Sequence, residues 1–322
     1  MNAASATSAT SATRKVVVVG SANVDAVIEL QRFPVPGETV LGRALQWLPG
    51  GKGANQAVAA CRLGVPTVAV MAVGDDEFGR QVLATLDAEG ADTHYVRPVA
   101  GPPTGLAVVS VDDGGENTIV VVPGANASLA PSDVDGIASL LQEGDVLLLQ
   151  LEVPVETSRT AAAIARACGA RVLLNAAPLG GVSAPLDDLL ALTDVLILNE
   201  TEARLLAGVP DHQDDADWSA LAAQLSRRGP QAVVLTLGED GAVVHGPDGG
   251  WHQSAFATDV VDTTGAGDAF CGAVAAALAQ AETLPVAVRR GCAAGAFAVT
   301  KAGAQRALPS AQDVEGLMGG VS

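Results

Sequence analysis

The chain has 322 residues, of which 49% are apolar and only 3% aromatic, with a formal net charge of −18. That length gives room for one large domain whose core is built from Ala, Val and Leu. The charge argues against nucleic-acid or anionic-membrane partners, which select basic surfaces, so any phosphate chemistry needs local N–H groups or a bound cation.

Residues 1–14 are a Ser/Ala/Thr tract without an apolar h-region, and the basic pair Arg14-Lys15 stands at the wrong end for a secretory signal. It reads as a disordered tail. A Ser-rich, acid-poor transit peptide is the alternative, although the expected Arg pattern is missing. Lys15 to Gly20 is a buried-strand run. Asn23 and Asp25 follow it and alternate, so both face one side of an extended segment; they read either as turn chemistry or as ligand groups at a strand end. Val27 to Trp47 reads as strand, loop, strand around Phe33-Pro34-Val35-Pro36-Gly37. Gly50-Gly51-Lys52-Gly53 opens a helix from Ala54 to Leu63, closed by Gly64 and Pro66.

Val65 to Val73 is a strand and Asp76 to Glu89 a helix. Thr104–Ser110 and Asn117–Val122 form a hairpin across Asp112-Asp113-Gly114-Gly115. A regular alternation follows: helix 133–142, strand 145–150, helix 155–168, strand 171–175, strand 194–198, helix 200–206, helix 217–228 and strand 232–237. Trp251 to Phe256 is a further strand, then helices span 269–280 and 285–300. The Asp-rich stretch 210–217 reads as a surface loop. Continuous Val/Leu/Ile strands alternating with helices imply an α/β three-layer sandwich with a mostly parallel central sheet covered by helices on both faces. The hairpins at about 24–48 and 104–122 do not fit between such layers and form a small β-sheet lid. The pattern shows no internal repeat and no linker, so residues 15–322 constitute a single domain.

Cys61, Cys168, Cys271 and Cys292 stand far apart without a C-x-x-C pair. Buried free thiols in a reducing cytosol, and hence a cytoplasmic protein, account for them. His94, His212, His245 and His252 lack zinc-site spacing. No apolar stretch is long and charge-free enough to span a membrane; 269–281 is too short.

Chemistry collects in two glycine loops. Gly265-Ala266-Gly267 lies where a loop becomes a helix N-terminus, with free N–H groups and a favourable dipole for an anion. Asp268 beside it reads either as part of a plain helix start or as a base for a hydroxyl that attacks a phosphate. The other loop is not a Walker A motif, since Gln46 replaces its first glycine and Gly53 its Ser/Thr. Neither loop has the third glycine of the dinucleotide fingerprint. Glu152, Asn175, Asn199, Glu202 and Thr236 follow successive strands. Asn199-Glu200-Thr201-Glu202 reads as a capping box or as a pair able to hold hydrated Mg²⁺ and a phosphate.

Taken together, the residues from about Val16 to Pro309 resemble the PfkB carbohydrate kinase family. Gly50–Ala57 resembles its first glycine motif and Asp262–Asp268 its second. Gly115-Glu116-Asn117, Gly124-Ala125-Asn126, Leu151-Glu152, Asn199–Glu202 and Gly303-Ala304-Gln305 agree in order and spacing. The resemblance implies an ATP-dependent sugar kinase acting on the primary hydroxyl of D-ribose, with 2-deoxyribose, fructose or a nucleoside as alternative acceptors. The scarcity of aromatic residues disfavours a nucleoside pocket. A non-catalytic sugar-binding protein on the same scaffold predicts a lost base or a broken anion hole, and both are intact.

Carried over, the resemblance makes Asp268 the base and the amides of Gly265, Ala266 and Gly267 the anion hole. Asn23, Asp25, Gly51, Lys52, Gly53, Asn55 and Glu152 would hold the sugar. Asn199, Thr236, Leu237, Gly238, Glu239, Asp240, Gly241, Gly267 and Cys292 would line ATP, and Glu202 would help order Mg²⁺. K⁺ would sit among Asp262 and oxygens of Thr264, Ala298, Lys301, Gly303 and Ala307. Many relatives carry a Ser near Gln305 where this chain has Arg306-Ala307, a change that a backbone-carbonyl ligand tolerates. In similar enzymes the lid also forms the contact of a homodimer, which would cover its hairpin edges.

Overall fold

A computed structural model describes residues 13–210 and 216–320. Most of the expected tail, and residues 211–215 of the Asp-rich loop, lie outside the described residues.

The chain enters through β1 (Val16–Val19), whose four valines are all buried. It leaves the main sheet at once for β2 (Asn23–Glu29) and β3 (Ala44–Gly50), then returns through α1 (Lys52–Arg62), β4 (Thr67–Gly74), α2 (Glu77–Ala88) and β5 (Asp92–Val99). A second excursion makes β6 (Gly105–Val111) and β7 (Asn117–Val122). Next come β8 (Val146–Leu149), α3 (Val155–Ala167), β9 (Arg171–Asn175), α4 (Ala184–Ala191), β10 (Val195–Asn199), α5 (Glu200–Ala207), α6 (Trp218–Ser226) and β11 (Ala232–Thr236). The hairpin β12 (Ala242–Gly246) and β13 (Gly249–Gln253) precedes α7 (Ala266–Ala279), α8 (Leu284–Ala298), the single turn α9 (Ala304–Ala307) and α10 (Ala311–Gly319).

The nine-stranded sheet has the order β13-β12-β11-β10-β9-β8-β1-β4-β5. It is parallel from β11 to β5, and only the terminal hairpin is antiparallel. Strand residues alternate between its two faces. Val16 and Val18 pack with the Ala-rich faces of α1, α7 and α8. Val17 and Val19 pack with leucines and alanines of α3, α4, α5 and α6. This is the expected three-layer sandwich, and small residues let α7 and α8 lie close to the sheet.

The lid is a four-stranded sheet of order β3-β2-β6-β7. Its two hairpins are joined by the parallel pair β2–β6, in which Asn23 stands opposite Gly105 and Asp25 opposite Ala107. Asn23 and Asp25 therefore belong to the lid's first strand rather than to a turn after β1.

Several expected elements differ. Residues 133–142 form no α-helix; two 3₁₀ turns, Pro131–Asp133 and Asp135–Ser139, close i→i+3 bonds such as Ile137 N–H to Val134 O. Gly136, β-branched Val134 and Ile137, and flanking Asp and Ser residues all weaken an α-helix there. Strand β5 lacks an apolar run because it is a partly exposed edge that carries Arg97 and Pro98. The strand expected at 251–256 begins at Gly249 and pairs with β12, whose existence the apolar pattern did not signal. Of the four thiols, Cys271 and Cys292 are buried, but Cys61 and Cys168 are only half-buried, at helix ends.

Candidate active site

The carboxyl ends of the parallel strands point their polar residues at one region between the main sheet and the lid. Two cavities occupy it. One of about 810 Å³ lies under the lid, lined by Asp25, Leu48 and Val109 and by the loops around Asp262 and Gln305. The other, of about 240 Å³, lies over the sheet, between Lys52, Asn199, Glu202 and Thr236 on one side and Gly265, Gly267 and Asp268 on the other.

Helix α7 begins after Gly265, which takes φ 81° and faces Ala304, where a Cβ would stand 2.9 Å from the Ala304 Cα. A glycine there has both the conformation and the space that the turn demands. The first α-helical bond is Ala269 N–H to Gly265 O at 2.8 Å, and Ala266 N–H turns back to Thr263 O at 3.3 Å. The Gly267 and Asp268 N–H groups precede that first bond, so they are the free donors of this helix start.

Asp268, the third residue of α7, is buried. Its Oδ2 accepts from Asn55 Nδ2 at 2.8 Å and its Oδ1 from Gln56 Nε2 at 2.9 Å. Burial pushes its carboxyl above the ordinary range, against the pull of Lys52 and of those two amides. Lys52 is also largely desolvated. Burial favours its neutral form, but Asp268, Glu152, Glu202 and Cys271 outweigh that and keep its ammonium more basic than usual.

On the lid side, Glu152 ties the ends of two strands to the start of α1. Its Oε2 accepts from the Ser21 hydroxyl and from Lys52 N–H at 3.0 Å, and Ser21 Oγ accepts from Gly53 N–H at 3.2 Å. Asp25 hangs from β2 towards this cluster. Burial, then Glu152, then Asp268 raise its carboxyl to about 7, and its Oδ1 is buried with no partner. A buried acceptor without a donor beside a cavity is suited to a ligand hydroxyl.

Asn199 and Glu202 form a reciprocal capping box on α5: Glu202 N–H donates to Asn199 Oδ1 at 2.8 Å, and Asn199 N–H to Glu202 Oε2 at 2.9 Å. The capping reading therefore holds, and both residues also line the smaller cavity together with Thr236. Leu237, Gly238, Glu239, Asp240 and Gly241 make a tight turn after β11, with Glu239 and Asp240 exposed, and none of them lines that cavity. Cys292 is buried in α8 among core residues and does not line it either.

Asp262 holds two loops together: its Oδ1 accepts from Thr264 N–H at 2.9 Å and its Oδ2 from Gly303 N–H at 2.8 Å. Burial opposes its ionisation, but the Gly303 N–H and the Thr264 hydroxyl and N–H prevail and hold its carboxyl below the usual range. Thr264 and Gly303 line the larger cavity, whereas Ala298 and Ala307 are buried, and Lys301 is exposed with its ammonium 4.2 Å over the Phe297 ring.

Sequence reasoning did not select three residues that complete the site. Asn126, fully buried, accepts from Ala22 N–H at 2.9 Å and donates to Asn23 Oδ1 at 2.7 Å, so it orients the Asn23 side chain. Gln56 and Gln150 are buried amides behind Asp268. The available signal for Gln56 was a polar side chain inside the Ala-rich run of α1.

A helix start with free amides, and a buried carboxylate at its third residue, equip a protein to transfer a phosphoryl group to an alcohol. The class is therefore a small-molecule kinase on a doubly wound sheet. Residues 13–311 match the pfkB family carbohydrate kinases, and the chain belongs to that family. It is similar to the ribokinase of Haemophilus influenzae, 38% identical over 300 residues that cover 93% of this chain and 97% of that one. It is also similar to the deoxyribokinase of Salmonella typhi, 36% identical over 92% of this chain and 95% of that one. Among solved structures, Arabidopsis thaliana ribokinase complexed with ribose and ATP superimposes with a TM-score of 0.85 at 33% identity, over 95% of this chain and 99% of that one.

Proposed function

We propose that this protein is a ribokinase, which transfers the γ-phosphoryl group of ATP to the primary hydroxyl of D-ribose to give D-ribose 5-phosphate and ADP. The observation that carries the reading is Asp268, buried on the wall of the sheet-side cavity at a helix start with free amides. The similarity to a ribokinase complexed with ribose and ATP supports the choice of substrates.

In this reaction the sugar lies under the lid, held by Asn23, Asp25, Glu152, Asn55 and the α1 start at Gly51, Lys52 and Gly53. Asp268 takes the proton from the attacking hydroxyl. Of the three amides expected to form the anion hole, those of Gly265 and Gly267 meet the charge that develops on the transferred group, joined by that of Asp268, while Ala266 N–H is turned back to Thr263 O. Lys52 faces the same point and offsets the phosphate charge. Water is kept out by closing the lid over the sugar, which strengthens each of these interactions. ATP lies along Asn199, Thr236 and the turn that follows β11.

Among the described residues, no group of three His, Cys, Asp or Glu side chains is gathered to chelate a metal. Mg²⁺ would accordingly lean on phosphate oxygens and water, with Glu202 the acid on that wall. The Asp262 loops offer one carboxylate and carbonyl oxygens of Thr264, Ala298, Lys301, Gly303 and Ala307, a donor set that suits K⁺ and would supply a fixed positive charge behind the anion hole.

We also assign the lid as a homodimer contact. Ile119, Val120, Val121 and Val122 of β7 and Leu45 and Trp47 of β3 are all exposed on edge strands, and a second copy would cover them.

The test is ADP release with ATP and Mg²⁺ over ribose, 2-deoxyribose, fructose and adenosine, each in K⁺ and in Na⁺. The expected result is the highest kcat/KM on ribose, rising with K⁺. A preference for 2-deoxyribose would keep the mechanism and reassign the acceptor. No turnover on any member would overturn the reading.

A further inference from the structure

Behind Asp268 lies a chain of amides that runs from the buried Gln150 through Gln56 to Asn175. An ionised carboxylate only accepts hydrogen bonds, so both neighbours of Asp268 must turn NH₂ groups towards it. Gln56 does so through Nε2, at 2.9 Å from Oδ1. The second proton of that nitrogen goes to Asn175 Oδ1 at 3.0 Å. The Gln56 Oε1 must then face away, and there it accepts from Gln150 Nε2 at 2.6 Å. Gln56 and Gln150 have no solvent exposure and neither lines either of the two cavities.

A primary amide can reverse its N and O ends at almost no change in shape, so packing alone does not choose between the two orientations. With Gln56 reversed, its oxygen would meet the Asp268 carboxylate and the Asn175 oxygen, two acceptors. Those two acceptors set the orientation, and Gln150 reinforces it from the other side by presenting a donor to Gln56 Oε1, with its own Oε1 buried and unpartnered. Its own position depends on a missing side chain: a Cβ on Gly20 would stand 1.9 Å from Gln150 Oε1 and 2.9 Å from the Gly53 Cα. Gly20 directly follows β1 and Gln150 directly follows β8, the strands paired in register next to the site. Asn175, at the far end of the relay, lines the sheet-side cavity.

We propose that Gln56 is a positioning residue for the catalytic carboxylate, and that Gln150 acts at one remove by locking the Gln56 amide with its NH₂ towards Asp268 and Asn175. The relay keeps one Asp268 oxygen and the Asn175 wall in fixed relation, so that the base meets the attacking hydroxyl at one angle. This inference rests on the reading of Asp268 as the base.

Three variants of the full chain test it, with steady-state kinetics from pH 5.5 to 9 and thermal unfolding of each. Gln56→Met fills the same space without the donor. It should lower kcat by about 10- to 100-fold, the range for a misplaced reacting group, with the KM for sugar changed less than about threefold. Gln150→Glu is isosteric and carries the test should Gln56→Met not fold. Its carboxyl can donate to Gln56 Oε1 only while protonated. Once ionised it accepts, and Gln56 must reverse to meet it. Its kcat should therefore fall as pH rises, on a descending limb absent from the parent. Loss of stability alone moves no such limb. Asp268→Asn separates the two levels. If it turns over normally, the base assignment fails and the relay with it. If it is inactive while Gln150→Glu keeps the parent kcat and pH profile, the base stands and the relay is overturned.

Discussion

Asp25 is expected to lower the stability of the empty protein in order to serve the sugar, and Asp25→Asn measures the trade. Its carboxyl, raised from 3.8 to about 7 by burial and by Glu152 and Asp268, stays protonated in the folded chain at pH values where the unfolded chain has released the proton. Stability therefore falls as pH rises from about 4 to about 7 and is level above that. The full shift corresponds to a cost on the order of 4 kcal/mol at pH 8, and it is an upper figure because asparagine must also find a partner for its NH₂. At pH 8, Asp25→Asn should raise the melting temperature by about 5 °C or more, given a few degrees per kcal/mol for a chain of this size. At pH 5 the gain should shrink to about a third of that. The same variant should bind sugar more weakly, since a neutral amide replaces an anionic acceptor for a sugar hydroxyl. The assay is thermal unfolding of parent and variant from pH 5 to 8.5, each with and without ribose. A gain that does not change with pH, or a loss at pH 8, would refute the electrostatic account of this residue.

Other expected outcomes follow from the same geometry. Asp268→Asn should lower kcat by about 10²–10⁴-fold, the range for a general base, while ATP binding measured by calorimetry persists; turnover within tenfold of the parent removes Asp268 from the mechanism. Asn126→Ala frees the Asn23 side chain and leaves Ala22 N–H without its acceptor. The KM for sugar should rise about tenfold, worth roughly 1.4 kcal/mol, and an unchanged KM would show that Asn23 does not hold the sugar. Val120→Lys places a charge on the exposed β7 face and should yield a monomer by light scattering; a persistent dimer would put the contact elsewhere.

Much of the fold could be read from the chain because both faces of the main sheet are covered. Burial on two sides forces continuous apolar strands such as Val16–Val19 and Val146–Leu149, and these are visible without any partner. Strand β5 was missed for the converse reason: at an edge, with Arg97 and Pro98, it carries no such run. The lid's hairpins were visible from their turn, but the parallel β2–β6 pair joins residues about 80 apart and leaves no local mark. The same distinction runs through the site. Asp268 and the glycines around it announce themselves, since a free helix start needs them in consecutive positions. Asn126 acts on Asn23, Gln56 on Asp268 and Gln150 on Gln56 across 103, 212 and 94 positions of chain separation; an amide in an Ala-rich helix or at a strand end looks the same whether or not it meets a partner.

The charge distribution also explains how an acidic protein can handle a polyphosphate. With a net charge of −18, the chain offers no basic field, and among the described residues Lys52 is the one cationic side chain lining the sheet-side cavity. Around it stand Asp268, Glu202 and Glu152, the first two on the cavity wall. Each carboxylate is already engaged: Asp268 by two amides, Glu152 by Lys52 N–H and Ser21, Glu202 by the cap of α5. Bare ATP would bring further negative charge to a site whose single lysine is already shared among these acids. Neutral backbone donors at the start of α7 can hold a phosphate without basic residues, but they cannot neutralise it. In the proposed reaction, therefore, Mg²⁺ arriving with the nucleotide, and K⁺ behind the Asp262 loops, would supply the compensation that the side chains withhold. A nucleotide without its metal should then be rejected by repulsion, which leaves Asp268 free to act only when the complete complex is in place.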